Sequence, residues 1–437
     1  MKTDFCPHRP AAFYVVLPVL LGSLTFRPVH AQEEDDWGDE ESLPIEIHGF
    51  GEAALGVRVV DDPTIADDFV VAEARFRLDL SHYSDRADLL FKGDLVADAV
   101  AGEVEIDIRQ VLIALRAAKW LDVRLGRQVL TWGTGDLIFI NDRFPKDFVS
   151  FFIGRADEFL KAPSNSAKFT FYTPPLNVDL VWTPIFTPDE TITGERLSFF
   201  DPNTGQIKSA ATLGGPLDPI LPPKELGNGE FAGRLHRTIS GYELAAYGYV
   251  GFTKSAAAFD TASDRPTYSR LDAFGGSVRG NLAGGIGNLE GGYYYSVDDK
   301  SGGDPDVPNS DIRGLLGYER EVSRNFTLGL QYWLVWIQDY DGLIDNSPEP
   351  ELEPPEADHT FTARLTWLLR QQTLLLSLFT FYSPSEDDAY LRPVIEYDWS
   401  DAVKLTLGGN VLLGPDKSFF GQLKNNSNVY ARVRYSF

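Results

Sequence analysis

From Ile45 to Phe437 the chain repeats one pattern, in which apolar and polar residues alternate with a period of two. In the stretch 70–80, Val70, Ala72, Ala74, Phe76, Leu78 and Leu80 interleave with Val71, Glu73, Arg75, Arg77 and Asp79. Further on, Val104, Ile106 and Ile108 alternate with Glu103, Glu105, Asp107 and Arg109. Near the end, Phe361, Ala363, Leu365, Trp367 and Leu369 alternate with Thr360, Thr362, Arg364 and Thr366. A helix would return its apolar residues about every 3.6 positions, whereas a strand with two unlike faces returns them every second one. Marking strands this way gives 45–59, 68–81, 86–97, 103–116, 120–131, 166–173, 176–183, 230–239 and 241–252. The series continues with 269–282, 286–297, 310–320, 324–338, 357–370, 372–382, 388–399, 401–413 and 426–437. The total is about eighteen, with sixteen as the alternative count.

The connections narrow the architecture. Those at 82–85, 117–119, 174–175, 321–323 and 400–401 are short, while those at 133–165, 184–229, 253–268, 298–309 and 339–356 are longer. Alternation of short and long is what an antiparallel up-and-down barrel shows when one rim carries periplasmic turns and the other extracellular loops. A soluble sandwich or propeller has no reason for that asymmetry.

A barrel of eighteen strands is too wide for side chains to fill, so its interior is wet, and the polar face turns inward while the apolar face meets lipid. The fold expected is therefore an all-β transmembrane barrel over 45–437. No later stretch offers the ~18 uninterrupted apolar residues that a spanning helix needs. Aromatic residues make up 13% of the chain and gather near strand ends, as at Trp120, Trp182, Tyr382, Trp399 and Tyr435, which fits interfacial girdles. The net charge of −25 argues against nucleic acid as a partner. The sole cysteine, Cys6, and the sole methionine, Met1, precede all of this, so the barrel has neither a disulfide framework nor a cysteine metal site.

Residues 1–31 read as a signal peptide: Lys2 and Arg9 open it, an apolar run from Ala11 to Phe26 follows, and Val29-His30-Ala31 supplies a cleavage pattern. The competing reading is an anchor helix that stays attached. Residues 32–44 contain the run QEEDDWGDEES and read as a disordered acidic periplasmic leader. So short a stretch leaves no room for a plug domain, which disfavours a gated, energy-coupled receptor.

The final segment, NVYARVRYSF, alternates and ends in Phe437. It resembles the C-terminal strand of bacterial outer-membrane proteins, whose terminal aromatic is read by the barrel-assembly machinery. Residues 121–145, LDVRLGRQVLTWGTGDLIFINDRFP, are similar to a segment of the alginate-export-like and uncharacterised porins of Gram-negative bacteria, where a GRQ…WG strand end leads into a loop. That resemblance implies an outer-membrane porin passing small hydrophilic solutes, anionic saccharides among them, in contact with lipid and lipopolysaccharide.

The third long-side connection is the best candidate site. Residues 146–161, KDFVSFFIGRADEFLK, can form a short helix with Phe148, Phe151, Phe152 and Phe159 on one side. In general porins the third loop folds into the lumen, and by resemblance this one would set the constriction with Asp142, Arg143, Arg155, Asp157 and Glu158. The facing wall offers Arg75, Arg77, Glu105, Arg109 and Arg124. A ring of fixed charges at a narrow gap selects solutes. The competing reading is that these charges pair with one another and only anchor the loop. The Pro-rich connection 184–229 reads as an external excursion or a lid, and the stiff acidic tip PEPELEPPE within 339–356 as a solvated charge run.

Enzymatic signatures are scarce. His48, His82, His236 and His359 stand in no H-E-x-x-H, and there is no G-x-S-x-G elbow, so no cofactor or metal is expected. His359 alone is placed at the long-loop rim, where a barrel-borne hydrolase would assemble its site. A barrel for polymer export, or for docking a periplasmic partner through the acidic leader, is the other alternative. Whether the barrel is a monomer or a trimer stays open.

Overall fold

The computed structural model describes residues 45–202 and 204–437; the expected signal peptide at 1–31 and leader at 32–44 lie outside the described residues. Eighteen strands form one sheet. In chain order they are β1 Glu46–Arg58, β2 Phe69–His82, β3 Ala87–Asp98, β4 Glu103–Ala118, β5 Leu121–Gln128 and β6 Ser164–Tyr172. Next come β7 Asn177–Thr183, β8 Glu230–Ile239, β9 Tyr242–Phe252, β10 Arg270–Leu282, β11 Gly285–Ser296 and β12 Asp311–Ser323. The last six are β13 Phe326–Ile337, β14 Ala357–Leu369, β15 Leu374–Ser383, β16 Asp388–Asp398, β17 Val403–Leu413 and β18 Asn428–Ser436. Each strand pairs antiparallel with its successor, and β18 returns to β1 in the register Phe50↔Ser436 to Arg58↔Asn428. Closure leaves no open sheet edge.

The seam ends on Phe437, whose backbone exchanges two hydrogen bonds with Gly49, at 3.0 and 3.1 Å. Gly49 is required there, because a Cβ would stand 2.7 Å from the Phe437 ring and overlap the Arg77 carbonyl.

The two faces are inverted relative to a water-soluble protein. Outward-facing Phe76, Val104 and Ile106 are 47%, 70% and 73% exposed, while inward-facing Arg77 and Asp94 are 2% and 1% exposed. Trp120, Trp399 and Tyr435 stand exposed at the short-turn rim, and Trp336 and Tyr382 at the other. Such a collar of apolar side chains between aromatic rims matches a hydrocarbon layer, since water would not tolerate it.

Alternation of loop length is real but not strict. At the long-loop rim, the connections 99–102 and 384–387 are tight turns. The first is closed by Asp98, whose Oδ1 accepts from the amides of Val100 and Ala101 at 2.9 and 3.1 Å.

Candidate functional site

The third long-side loop, residues 129–163, turns into the barrel instead of away from it. Only six residues of the expected helix form one: α1, Phe148–Ile153. Asp147 caps its start by accepting from the Ser150 amide, and Gly154, left-handed at φ 86°, ends it. Residues 157–160 then make a separate 3₁₀ turn, so Phe159 leaves the apolar side shared by Phe151 and Phe152.

The first half of the loop is held chiefly by neutral donors on a carboxylate, with one ion pair beside them. Glu290, buried on β11, accepts from the amide and hydroxyl of Thr134 at 2.6 and 2.9 Å, and from the amide and Nδ2 of Asn141 at 2.9 and 3.0 Å. The amide of Asp136 donates to Gln331 on β13 at 2.8 Å, and its carboxylate takes Arg364 of β14, also at 2.8 Å. Glycines make the close approach feasible. A Cβ on Gly292 would lie 2.8 Å from Ile140, and one on Gly275 would overlap the Asn141 side chain. The helix then seats Phe151 and Phe152 edge-on or tilted against Tyr390 of β16, at centroid distances of 5.5 and 5.3 Å.

The second half is held by charge. Asp94 of β3 sits between Arg75 and Arg77 of β2, at 2.7 and 2.6 Å. Arg77 reaches Glu158 of the loop at 2.5 Å, and Arg434 of β18 reaches the other Glu158 oxygen at 2.9 Å. Burial alone would raise the Glu158 carboxyl, but Arg77 and Arg434 outweigh it and hold it below the ordinary glutamate range. Arg155 pairs with Glu73 of β2, and Asp157 with Arg392 of β16 at 2.8 Å. The Phe159 ring lies under three guanidiniums, with Arg75, Arg77 and Arg109 at 4.3, 5.0 and 5.0 Å from its centroid. Arg109 also donates to the carbonyls of Glu158 and Lys161 at 3.2 and 2.7 Å.

A second loop leans on this one. The backbone of Glu190, in the 184–229 connection, bridges Lys146 and Phe148. Its carboxyl is pushed up to about 7 by lost hydration and by the nearby carboxylates of Asp147 and Asp107, with Arg155 opposing them. Arg196 of the same connection donates to the Val70 carbonyl at 3.0 Å and pairs with Asp98.

Of the residues singled out from the sequence, Arg75, Arg77, Arg109, Arg155, Asp157 and Glu158 thus come together in one network. Asp142 lies in the first half of the loop, paired with Lys146 at 3.0 Å, and Arg143 donates to the Tyr294 hydroxyl at 3.2 Å. Glu105 and Arg124 are exposed and, among the described residues, make no ion pair or hydrogen bond to the loop. Alternation gives the face of a strand but not the height along it, and Arg124 falls nearer the short-turn rim. The partners not singled out are Glu73, Asp94, Asp98, Asp136, Arg196, Glu290, Arg364, Arg392 and Arg434. The inward register of those on strands was legible, whereas Asp136 and Arg196 lie in loops, and none of the pairings across long stretches of chain was legible. His359 bonds through Nδ1 to the Tyr332 hydroxyl at 2.8 Å, and its amide donates to Ser385 Oγ at 2.9 Å. Among the described residues no three His, Cys, Asp or Glu side chains converge in a metal-binding group.

Eighteen antiparallel strands, an apolar collar and a polar lumen crossed by its third loop define the fold of the outer-membrane β-barrel porins. Among solved structures, Pseudomonas aeruginosa OccD3 (OpdP) matches at 11% identity over 90% of this chain and 91% of its own, with a TM-score of 0.52. Pseudomonas aeruginosa OccK11 (OpdR) matches at 9% identity over 90% and 96%, with a TM-score of 0.51. A Rhodopseudomonas blastica porin aligns at 13% identity over 90% and 100%, with a TM-score of 0.39. At such identities the likeness is one of fold. No protein-family model and no curated protein sequence matches the chain.

Proposed function

We propose that the protein is an outer-membrane channel for passive diffusion of small hydrophilic solutes, organic ions or saccharides, with the 129–163 loop as its narrowest section. The observation that carries this reading is the docking of that loop, inside the lumen, on β2, β4, β16 and β18 at one end and on β11, β13 and β14 at the other. Charges fixed on a rigid ledge within a wide barrel are what a passive selectivity device needs. The likeness of residues 121–145 to the alginate-export-like porins favours anionic saccharides among the solutes. Residues 1–31 would direct export, and Phe437 would present the C-terminal strand to the assembly machinery, with lipid and lipopolysaccharide around the collar.

We read the chain as no enzyme. His359, the one histidine placed for a surface hydrolase, engages Tyr332 through its ring and meets Ser385 only through its backbone. The test is single-channel recording of the purified, folded protein in a planar bilayer under a salt gradient. Discrete current steps are expected, and their reversal potential reports the sign of charge at the ledge. A folded barrel that passes no current would overturn the channel reading in favour of export or docking.

A further inference from the structure

Above the third loop, on the long-loop side of the barrel, lies a cavity of about 780 Å³. That is within the ~300–1,000 Å³ of pockets that hold small organic ligands. Its two sides differ in charge. On the side of β8–β12 and the third loop, cations and carboxylates stand together: Arg313 pairs with Asp311 at 2.7 Å, Lys146 with Asp142 at 3.0 Å, and Lys254 with Glu230 at 2.5 Å. Arg143 and Asp189 act on each other across the same side.

The other side has carboxylates alone. Asp358 opens β14, Glu386 lies in the turn between β15 and β16, and Asp388 opens β16; all three line the cavity. They are met by neutral donors. Asp358 Oδ1 accepts from the Ser383 hydroxyl at 3.1 Å, Glu386 Oε2 from the Phe419 amide at 2.5 Å, and Asp388 Oδ2 from the Phe420 amide at 2.7 Å. Among the described residues no Lys, Arg or His pairs with any of them. Asp388 is only 2% exposed, and its Oδ1 has no donor at all. Burial pushes the Glu386 carboxyl up, the Phe419 amide opposes the rise, and the charges of Asp388 and Asp358 add to it.

The wall around these acids is aromatic. Trp333, Phe381, Phe419 and Phe420 line the cavity, with Phe420 5.5 Å from Phe381 and 5.0 Å from Phe419 between ring centroids. Trp333 pairs in register with Thr360, two residues from Asp358. Elsewhere in the lumen such rings carry arginines, as Phe379 does Arg364 at 4.5 Å and Phe151 does Arg392 at 4.2 Å. Among the described residues these four rings carry no cation. A metal ion does not suit the place, because among the described residues no three acidic side chains converge to hold one. A methylated ammonium does. Its charge is spread over a larger surface, aromatic faces attract it, and it supplies the counter-charge that buried carboxylates lack.

We propose that the β13–β16 side of this cavity binds a methylated organic ammonium, with Asp358, Glu386 and Asp388 as its counter-charge and Trp333, Phe381 and Phe420 as its aromatic wall. The proposal deepens the channel reading by naming a class of solute held above the ledge, and it rests on that reading for passage, not for binding.

Three ligands of one shape test it: choline, its neutral carbon analogue 3,3-dimethylbutanol, and the carboxylate of the same body, 3,3-dimethylbutyrate. Folded wild type in a neutral detergent should bind choline about tenfold or more tightly than the alcohol, and the carboxylate more weakly than either, by tryptophan fluorescence and calorimetry. Asp358→Asn combined with Glu386→Gln should remove the preference for choline over the alcohol, and Trp333→Leu should reduce it severalfold. Equal affinity for choline and the alcohol in wild type overturns the proposal without any variant, as does tighter binding of the carboxylate. So does a double variant that folds and keeps the preference, or the absence of choline binding at millimolar concentration in a protein that conducts. Choline binding by a protein that does not conduct would instead overturn the channel reading and leave the site standing.

Discussion

The two ends of the third loop are fastened by different physics. Around Thr134 and Asn141 the loop lies against glycine-lined strands, and one buried carboxylate, Glu290, collects four neutral donors. Around Glu158 and Phe159 it lies on a wall of arginines whose charges are balanced by Asp94, Glu73 and Glu158. The first end depends chiefly on shape, because its bonds to Glu290 and Gln331 form only if the backbone comes close, with the Asp136–Arg364 ion pair added to them. The second depends on charge balance, which tolerates small shifts but not the loss of a partner. A ledge held in both ways is fixed in position along the lumen and also carries charge, which a selective channel requires together.

Breaking the charged end should have the largest effect. Asp94→Asn leaves Arg75 and Arg77 facing each other with their shared anion gone, a loss of about 3–5 kcal/mol. A lower urea midpoint of the folded barrel and a reversal potential displaced toward anions are the expected results. An unchanged midpoint would mean that lumen water already screens the pair.

The shape-dependent end is tested by Gly275→Ala. The new methyl would overlap the Asn141 side chain and the Gly291 carbonyl of β11, and should cost about 1–3 kcal/mol while displacing residues 134–141 from the wall. Raised conductance with unaltered ion preference is expected, in contrast to Asp94→Asn. A change in preference without a change in conductance would erase the distinction between the two ends.

The smallest effect concerns the contact with the 184–229 connection. Because the Glu190 carboxyl is raised to about 7, above the ~4.3 of a free glutamate, its charged form is disfavoured in the fold. Stability of this contact is therefore full at acid pH and declines as pH rises through neutrality. Asp147, Asp107 and Glu105 crowd the charged form and Arg155 partly relieves it. Limited proteolysis within 184–229 should be slower at about pH 5.5 than at about pH 8.5, and Glu190→Gln should remove the difference.

The barrel itself was legible in the sequence. Alternation such as Phe76 against Arg75 and Arg77 assigns a face at each step, and repetition along the chain leaves a closed sheet as the consistent solution. Loop geometry was only half legible. The charges of Arg155, Asp157 and Glu158 stood out, yet the short helix expected over 146–161 is interrupted at Gly154, whose left-handed φ a glycine permits but does not announce. Arg124 shares a face with the network but not its height, which a period of two does not encode, whereas Glu105 stands level with Arg75 in the register and stays exposed. Glu290 was hidden most completely: a lone acid between Leu289 and Gly291 carries no sign of partners some 150 positions earlier in the chain.

The most direct test of the account is the single-channel conductance of Glu290→Ala beside that of wild type in the same bilayer. Removing the acceptor of four loop donors should free the first half of the ledge, giving larger steps, more current noise and an unchanged barrel. Equal step sizes in a variant that folds normally would contradict the claim that this loop sets the narrowest section.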